Sequence, residues 1–410
     1  MRDGLLGKAI KDYDIATSAT PQQILDIFAH STFSPLPIGI KFGTIALYHR
    51  QSKQQYEVTT FRTDGAYNDN RKPDSVHFIN NLEGDLLRRD FSINALACEV
   101  NDKDCCIIDY VGGLKDLKRR KIACVGNPDV RFYEDSLRIL RALRFSATLG
   151  FEITKRTHNA IMRNIQLLSN LSAQRIASEL DKMLVGRNFV SVFKKYSAIF
   201  VYIFTQYCQS GAIKNDSIKI ICKDLSRFNG LKQEILLSAR WACVLALIER
   251  HQSGRAGQVL ENLKYSNAFI KKLTLFVRFY EVDLGIKKQS KLRIVLKQIL
   301  REMGDKTGSE FITIKMCLMK KKHAISVKTA LSVALKECFS LQGLCIKGDD
   351  LRALGLNGKQ IGEVLEMLLQ EVICEKCVNE KKVLRLRAKK VTKKMVNTTG
   401  FEPATPTMSR

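Results

Sequence analysis

Near the start of the chain stands Lys11-Asp12-Tyr13-Asp14, and the other motifs are arranged around it. Asp12 and Asp14 are separated by one residue, so on an extended segment both side chains point to the same face. Two carboxylates in this arrangement can share divalent cations, because hard cations such as Mg²⁺ prefer oxygen ligands. The same triplet is common in solvated turns, so the rest of the sequence must distinguish a metal site from a turn.

The composition indicates several domains and an anionic partner. At 410 residues the chain exceeds the usual size of one domain, and its length predicts about two to four domains. The formal net charge is +26, and such a surplus repels itself unless an anion compensates for it. The basic residues are spread along the whole chain and are not collected on one amphipathic segment, which favours nucleic acid over an anionic membrane surface.

The twelve cysteines are expected to be reduced thiols of a cytoplasmic protein. Met1-Arg2-Asp3-Gly4 has no apolar core behind it, so the sequence predicts no signal peptide. Cys374-X-X-Cys377 lacks a second pair at a suitable spacing, and no zinc site is expected there. The most apolar runs, 198–204 and 241–248, are shorter than the roughly 18 residues that a membrane span needs. They are predicted to be core helices or strands, and no membrane partner is expected.

A helix and a β-hairpin are predicted after the acidic segment. Thr20-Pro21 is typical of a helix N-terminus, with Thr20 as the cap. Residues 43–48 and 55–61 carry β-branched and aromatic side chains on either side of a polar break, which predicts the hairpin. Glu57 lies within its second strand. It is either a solvent-facing residue of an edge strand or a third metal ligand that faces the two aspartates.

A polar loop and a pair of arginines follow the hairpin. Residues 63–76 are rich in turn formers and predict a mobile loop. Arg88-Arg89-Asp90 is flanked by apolar residues, which is a costly arrangement unless polar partners are present. Arginine offers a fork of donors that fits phosphate oxygens, and Asp90 can accept a hydrogen bond from a ribose hydroxyl. A solvent-facing helix start is the alternative interpretation.

The pattern of the chain changes at about residue 130. Beyond this point the apolar spacing is helical and strand signals are few. The sequence therefore predicts an α+β protein in which a mixed head precedes a long helical remainder. Residues 385–394 form a basic run, and 397–410 have the composition of a disordered tail.

One predicted helix starts near Arg131 and continues through Phe145. Asp135 and Arg138 are three residues apart in it and share a face, which fits an intrahelical ion pair. The same pair also fits base recognition. Cytosine and adenine present an amino donor beside a ring-nitrogen acceptor, which an aspartate beside an arginine can satisfy. Uracil and guanine present the reverse pattern and would leave unpaired groups, a strong form of discrimination.

Four of these motifs occur in the order seen in class II tRNA nucleotidyltransferases, the family of CCA-adding enzymes and bacterial poly(A) polymerases. The chain resembles that family in residues 11–17, 56–62, 88–95 and 134–138. Residues 175–180 resemble the neck motif of the family, and residues 348–362 resemble its tRNA-gripping tail domain.

The resemblance implies an enzyme that adds C, C and A to the 3′ end of tRNA from CTP and ATP without a nucleic-acid template. It implies that Asp12 and Asp14 bind two Mg²⁺ ions and that Glu57 completes a carboxylate set that activates the primer hydroxyl. The implied partners are CTP, ATP and tRNA, the last through its 3′ end and its acceptor and T-arm surface.

The resemblance also implies a set of nucleotide-binding residues: Arg2, Arg88, Arg89, Asp90, Asn94, Asp135, Arg138 and Arg141. Within this set Asp90 reads the ribose 2′-OH, while Asp135 and Arg138 form a protein template for the incoming base. The resemblance implies that the polar loop at residues 64–74 acts as a lever that helps change the specificity of the nucleotide pocket from C to A.

The domains that the resemblance implies are a head at residues 1–115, a helical neck with the base-reading helix at 116–185, a helical body at 186–280, a helical tRNA-binding tail at 281–390 and a disordered segment at 391–410. The head is expected to hold a small mixed or antiparallel sheet without its first strand. Family members carry a strand and a Gly-Gly turn before the position of Met1-Arg2-Asp3, and the sequence has neither.

Two alternatives remain open. A bacterial poly(A) polymerase shares the head and adds A to RNA 3′ ends. Residues 39–44 and 64–74 look more like the CCA-adding branch, although Phe42 stands where histidine is usual. The other alternative is an N-terminally truncated tRNA-binding protein with little catalysis, which would bind through its basic surface.

Overall fold

The computed structural model describes residues 1–10, 13–65, 75–100, 104–208, 215–251 and 253–399. The chain forms two compact units. The first contains Met1–Cys222 and His251–Ser266, and the second contains Lys223–Arg250 and the chain from Asn267 onward. All strands of the described residues belong to the first unit, and the described part of the second unit is helical.

The strands β1 to β10 are, in chain order, Asp14–Thr17, Phe33–Gly39, Thr44–His49, Gln55–Thr60, Arg62–Asp64, Val76–Phe78, Ala97–Val100, Cys105–Ile108, Lys121–Ile122 and Glu152–Ile153. Four of them form one sheet in the order β1-β4-β3-β2. β1 is parallel to β4, while β4, β3 and β2 are antiparallel neighbours. The predicted α+β fold with a small mixed sheet and the predicted hairpin of β3 and β4 are therefore confirmed.

The helices α1 to α10 are Arg2–Leu5, Pro21–Phe28, Leu82–Leu87, Gly113–Arg119, Pro128–Glu134, Leu137–Leu149, Lys155–Arg163, Ala173–Leu184, Phe189–Lys195 and Ser197–Cys208. The helices α11 to α20 are Asn215–Arg227, Gln233–His251, Arg255–Asn262, Asn267–Arg278, Gln289–Met303, Asp305–Cys317, Lys321–Ala334, Gly348–Arg352, Gly358–Ile373 and Lys381–Thr399. Short 3₁₀ turns lie at Ile40–Phe42, Ser92–Asn94, Ile165–Asn170 and Leu341–Gly343.

Helix α2 covers one face of the four-stranded sheet. It begins with the predicted cap: the Thr20 hydroxyl accepts from the Gln23 N–H at 3.4 Å, and the Gln23 side chain accepts from the Thr20 N–H at 2.8 Å. The small core between helix and sheet is made of the buried residues Ile24, Ile45, Leu47 and Val58. Because side chains alternate along a strand, the residues on either side of Val58 point to the opposite face.

The helix predicted to start near Arg131 and run through Phe145 is interrupted. Helix α5 ends at Glu134, α6 begins at Leu137, and Asp135 between them is extended, with φ −139° and ψ 102°. The Asp135 carboxylate accepts the backbone N–H of Leu137 at 3.1 Å. A short acidic side chain that bonds to nearby backbone competes with helix continuation in this way. The prediction of one continuous helix was therefore wrong at this residue.

Residues 63–76 were predicted to form a loop, and the structure shows the base of that segment as a small hairpin. β5 and β6 pair antiparallel, with Arg62 opposite Phe78 and Asp64 opposite Val76. Residues 66–74 lie outside the described residues. Most of the segment implied to be a lever falls on these residues.

A second hairpin, of β7 and β8, places two cysteines close together. Cys98 and Cys105 have their Cα atoms 6.5 Å apart and their sulfur atoms in contact. In this hairpin Cys98 lies opposite Ile107 and Cys105 lies opposite Val100, so the two cysteines are diagonal neighbours on one face. The expectation that their thiols are reduced stays a prediction.

The second unit has a helical core, as the apolar spacing predicted. Trp241 of α12 is fully buried. Toward the end of the chain, Leu351, Val364 and Leu384 belong to one buried cluster that joins α18, α19 and α20. None of the helices in the described ranges is long and apolar enough to cross a membrane.

The last described helix extends further than the boundary predicted at residue 391. Helix α20 runs to Thr399. Leu384 and Ala388 are both fully buried and four residues apart, so one face of this helix is held by packing. The lysines and arginines that predicted a solvated segment are also good helix formers. Residues 400–410 lie outside the described residues.

Candidate active site

Asp14 and Glu57 lie side by side on the open face of the sheet. They are register partners in the parallel pair β1 and β4, so their side chains point to the same face. Both residues are exposed, whereas Val58, the next residue of β4, is buried against α2. The edge-strand interpretation of Glu57 is wrong, because β4 lies between β1 and β3. Asp12 lies outside the described residues.

The carboxylate oxygens on this face are suitable ligands for a hard divalent cation. Asp14 and Glu57 offer only carboxylate oxygens, the ligand type that Mg²⁺ prefers. Within the ranges that the structure describes, no group of three or more His, Cys, Asp or Glu residues is placed to hold a metal ion. A complete metal site therefore requires a ligand in addition to Asp14 and Glu57. Asp12 is the acidic residue nearest to Asp14 in the sequence.

Arg88 and Arg89 follow α3 and are held by one buried carboxylate, that of Asp85. Arg88 donates to Asp85 Oδ1 from Nε at 3.0 Å and from Nη2 at 2.6 Å. Arg89 donates from Nη2 to Asp85 Oδ2 at 3.1 Å. Asp85 was not among the site residues predicted from the sequence. Its position three and four residues before the arginines is a signal that could have identified it.

Asp90 is 8% exposed and lies in a polar network. Its Oδ1 accepts from the backbone N–H of Phe91 at 2.8 Å and from Asn94 Nδ2 at 3.0 Å, and its Oδ2 accepts from Arg141 Nε at 2.7 Å. Arg2 joins the network, because its Nη1 donates to Asn94 Oδ1 at 2.6 Å. The structure thus brings together four residues that the family resemblance implied for nucleotide binding, namely Arg2, Asp90, Asn94 and Arg141.

Three arginines surround the ring of Phe145 on α6. The guanidinium carbons of Arg2, Arg141 and Arg144 lie 4.9, 5.4 and 4.1 Å from the ring centroid. Arg144 also pairs with Glu179 at 2.8 Å, and burial lowers its pKa below the ordinary value for arginine. Clustered guanidinium groups suit a polyphosphate. Arg144 was missed by the sequence analysis, although it continues the three-residue spacing of Arg138 and Arg141.

The two residues predicted to read the base have different partners. The Asp135 carboxylate accepts from Arg175 Nη2 at 3.2 and 3.3 Å. Arg138 is 7% exposed and donates from Nη1 to Glu134 Oε2 at 2.7 Å and from Nη2 to the Arg88 carbonyl at 3.0 Å. The intrahelical geometry expected for an Asp135–Arg138 pair is absent, because Asp135 is not helical.

The predicted site residues therefore form two groups within the first unit. One group is the carboxylate pair of the sheet. The other is the polar network of α1, α6 and the segment after α3, and it contains Arg2, Arg88, Arg89, Asp90, Asn94, Arg138 and Arg141. Strand β4 ends two residues before Arg62 of β5, and the Arg62 carbonyl accepts from Arg88 Nε at 3.0 Å. The two groups are thus joined by a short stretch of chain.

Three family models match successive parts of the chain. Residues 1–123 match the poly A polymerase head domain, 150–197 match the probable RNA- and SrmB-binding site of polymerase A, and 237–388 match the putative domain 2 of tRNA nucleotidyltransferase. Together they cover the head and much of the helical remainder.

Curated relatives match over almost the whole chain. The CCA-adding enzyme of Lactococcus lactis subsp. lactis (strain IL1403) is 34% identical over 400 residues, which cover 95% of this chain and 92% of the relative. The CCA-adding enzyme of Bacillus pumilus (strain SAFR-032) is 32% identical over 391 residues, which cover 94% of this chain and 90% of the relative.

Solved structures agree with these relatives. The Bacillus stearothermophilus CCA-adding enzyme in complex with CTP has a TM-score of 0.75 and 25% identity, with 97% of this chain and 92% of the other covered. The Thermotoga maritima CCA-adding enzyme complexed with tRNA has a TM-score of 0.65 and 20% identity, with 95% and 89% covered. The latter likeness shows a shared fold.

Proposed function

The chain belongs to the CCA-adding enzyme family, and we propose that it adds C, C and A to the 3′ end of tRNA from CTP and ATP without a nucleic-acid template. In each addition the 3′-oxygen of the tRNA attacks the α-phosphorus of the nucleotide. The bond from that phosphorus to the bridging oxygen of the β-phosphate breaks, and pyrophosphate leaves. The observation that carries the proposal is the parallel register that sets Asp14 beside Glu57 on the open face of the sheet.

We assign the carboxylates of this face to the metal and the primer. Asp12 and Asp14 would hold Mg²⁺, which when bound supplies Lewis acidity at the primer hydroxyl and neutralises charge on the triphosphate. Glu57 is the neighbouring acceptor, and its carboxylate can take a hydrogen bond from the 3′-hydroxyl, orient it and accept its proton as the bond to phosphorus forms. The exposure of Asp14 and Glu57 supports this assignment, because it leaves their oxygens accessible to a ligand.

We assign the triphosphate to the arginine cluster. Arg2, Arg141 and Arg144 lie around Phe145, and Arg88 and Arg89 lie at the end of α3. Guanidinium groups make bidentate, charge-assisted hydrogen bonds to phosphate oxygens. Asp90 and Asn94 are polar groups of the same network, and we assign them to the ribose. The mutual hydrogen bonds of these residues fix their side chains before substrate binds, which lowers the cost of orienting it.

We assign the base to Asp135 and Arg138. Asp135 offers acceptors for an exocyclic amino group, and Arg138 offers donors for a ring nitrogen. Each is held by another residue, Asp135 by Arg175 and Arg138 by Glu134. This support favours a site that admits C and A and that leaves U and G with unpaired polar groups.

We propose that the remaining helical chain binds tRNA in the cytoplasm. The proposed division is a head at 1–115, a neck at 116–185, a body at 186–280 and a tail at 281–390. The formal charge of +26 supports contact with the phosphate backbone. The family-model match at residues 237–388 supports a tRNA nucleotidyltransferase domain in the body and tail.

The proposed function can be tested by incubating the chain with a tRNA that lacks its CCA end, Mg²⁺ and each nucleotide singly and together. Products are resolved to one nucleotide. We expect CTP alone to add two residues, and CTP with ATP to add three and then stop. A ladder of added A residues would instead identify a poly(A) polymerase, and binding of tRNA without any addition would identify a tRNA-binding protein.

A further inference from the structure

Asp85 is a buried carboxylate that balances two cations of the proposed site. It is 2% exposed, lies in α3 and accepts three side-chain hydrogen bonds from Arg88 and Arg89. Both of its oxygens are engaged by protein donors, so the carboxylate is not available to a nucleotide. If Asp85 were neutral, both arginines would lose a charge-assisted partner, and such hydrogen bonds are about twice as strong as neutral ones.

The same carboxylate also binds the first residue of β5. The backbone N–H of Arg62 donates to Asp85 Oδ1 at 3.4 Å, and the backbone carbonyl of Arg62 accepts from Arg88 Nε at 3.0 Å. The backbone N–H and the backbone carbonyl of Arg62 are therefore both hydrogen-bonded, the first to Asp85 and the second to Arg88. The hairpin of β5 and β6 is thereby tied to the side chain of Arg88.

On its other side Arg88 supports Arg138. The Arg88 carbonyl accepts from Arg138 Nη2 at 3.0 Å. Since Arg138 is 7% exposed, it has little room to take up a different rotamer. The Arg88 side chain thus binds Asp85 and the β5 backbone, while the Arg88 backbone carbonyl binds Arg138. A displacement of Arg88 therefore changes the position of the Arg138 guanidinium.

We propose that Asp85 is a positioning residue for nucleotide selectivity, which acts by fixing Arg88 between the β5 backbone and Arg138. The inference rests on the proposed function, because it concerns how the same site discriminates between bases. Asp85 does not touch the nucleotide. Its effect depends on the position of Arg138, where a misplacement of about 1 Å can cost a reaction about 100-fold.

The test compares Asp85→Asn with Glu83→Gln. Glu83 lies in the same helix two residues earlier and is exposed, so its variant makes the same charge change away from the arginines. Single-turnover addition of each of the four nucleotides is measured on tRNA that lacks CCA and on tRNA that lacks only A. We expect the ratio of correct to incorrect addition to fall about tenfold in Asp85→Asn, within the usual range of coupling between sites. We expect no change in Glu83→Gln.

A purely structural role for Asp85 would give a different result. Addition of all four nucleotides would then fall by the same factor, and the ratio of correct to incorrect addition would equal that of the wild type. Such a result would overturn the inference. If Asp85→Asn does not fold, the same ratio is measured in Arg88→Lys. This variant keeps the positive charge but loses the guanidinium group that bonds to both Asp85 and the Arg62 carbonyl. An unchanged ratio in Arg88→Lys would equally overturn the inference.

Failure of the proposed function can be recognised separately in the wild-type chain. If that chain adds no nucleotide to tRNA, the proposed function is wrong, and equilibrium dialysis of labelled CTP and labelled UTP becomes the test of Asp85. A CTP-to-UTP affinity ratio that falls in Asp85→Asn but not in Glu83→Gln supports the inference. A ratio that stays at the wild-type value, or a wild type that binds neither nucleotide, overturns it.

Discussion

Arg141 and Asp90 form an ion pair between residues 51 apart in the sequence: Nε of Arg141 lies 2.7 Å from Oδ2 of Asp90. The carboxylate is 8% exposed, and its other oxygen accepts from Asn94. The Arg141–Asp90 ion pair links α6 to the segment after α3. The residues proposed to bind phosphate and ribose thus also hold their own supporting elements together.

We expect Arg141→Gln to reduce the free energy of unfolding by about 2 kcal/mol, because it removes a charge-assisted hydrogen bond from a buried carboxylate. Urea denaturation gives the comparison. Arg163→Gln is the matched control, since Arg163 pairs with Asp129 at the exposed surface and such pairs contribute little. Equal stability of the Arg141 variant and the wild type would show that the pair does not support the fold.

We expect Asp14→Asn to slow nucleotide addition at least about 100-fold, because the amide is a poor ligand for the cation that the proposed mechanism requires. The exposed position of Asp14 predicts an unchanged free energy of unfolding. Rates are measured over a range of Mg²⁺ concentrations. Asp26→Asn, an exposed change on α2, controls for loss of surface charge. Retention of wild-type rates in Asp14→Asn would exclude Asp14 from the metal site.

We expect Gly113→Ala to impair nucleotide addition and to destabilise the chain by about 1–3 kcal/mol through overpacking. A Cβ at this position would meet the backbone carbonyl of Ser92, and Ser92 begins the turn that carries Asn94. Gly112→Ala is the control. It has no atom within 4 Å of the added Cβ but a φ of +77°, so we expect a strain cost of about 1–2 kcal/mol with catalysis retained.

The hydrogen bonds to the Asp109 carboxylate predict a pH-dependent contribution to the stability of the fold. Burial tends to raise its pKa, but the backbone N–H groups of Leu114, Gly113 and Val111 together lower it below 3.8. Since the folded-state pKa is depressed, the stabilisation is present above pH 3.8 and is lost as the pH falls through the folded-state pKa. We therefore expect Asp109→Asn to be less stable than the wild type at neutral pH, with the difference disappearing in acid.

Urea denaturation across this pH range measures that contribution. Asp104→Asn, at an exposed position nearby, makes the same change of charge. A stability difference between Asp109→Asn and the wild type that persisted at the lowest pH would contradict the assignment, because the protonated carboxyl would then be as favourable as the ionised one.

We expect the affinity for tRNA to fall steeply as salt concentration rises. Each phosphate neutralised by a lysine or arginine releases counterions, so the logarithm of the affinity falls linearly with the logarithm of the salt concentration. The net charge of +26 motivates this expectation. Filter binding at several KCl concentrations gives the slope. An affinity that did not depend on salt would show that the basic surface is not the tRNA contact.

Several features of the fold could be predicted because their causes are local. Thr20-Pro21 gave the start of α2, since a cap bonds to the backbone three residues away. The hairpin of β3 and β4 followed from β-branched and aromatic runs around a polar break. Within β4 the structure buries Val58 and exposes Glu57, as the alternation of side chains along a strand requires.

The failures of sequence-based prediction have local and non-local causes. Asp135 was expected inside a helix, but its carboxylate bonds to the nearby backbone of Leu137 and to Arg175, a residue 40 positions away. Glu57 could be assigned to an edge strand only while the parallel partner β1 was unknown. Asp85 was not selected, although its spacing of three and four residues before the arginines was a local signal, because the same spacing occurs in exposed ion pairs and only the structure shows its burial.

The sequence by itself determined the α+β class, the positions of several strands and helices, the basic charge and the residue types available for metal and phosphate binding. These properties depend on composition and on periodicities of a few residues, which the chain carries locally. Only the tertiary structure decided that Asp14 faces Glu57, that Arg141 binds Asp90 and that Asp85 lies between Arg88 and Arg62. Those contacts depend on sheet register and helix packing, which bring distant parts of the chain together and exclude water from charged groups that would otherwise remain solvated.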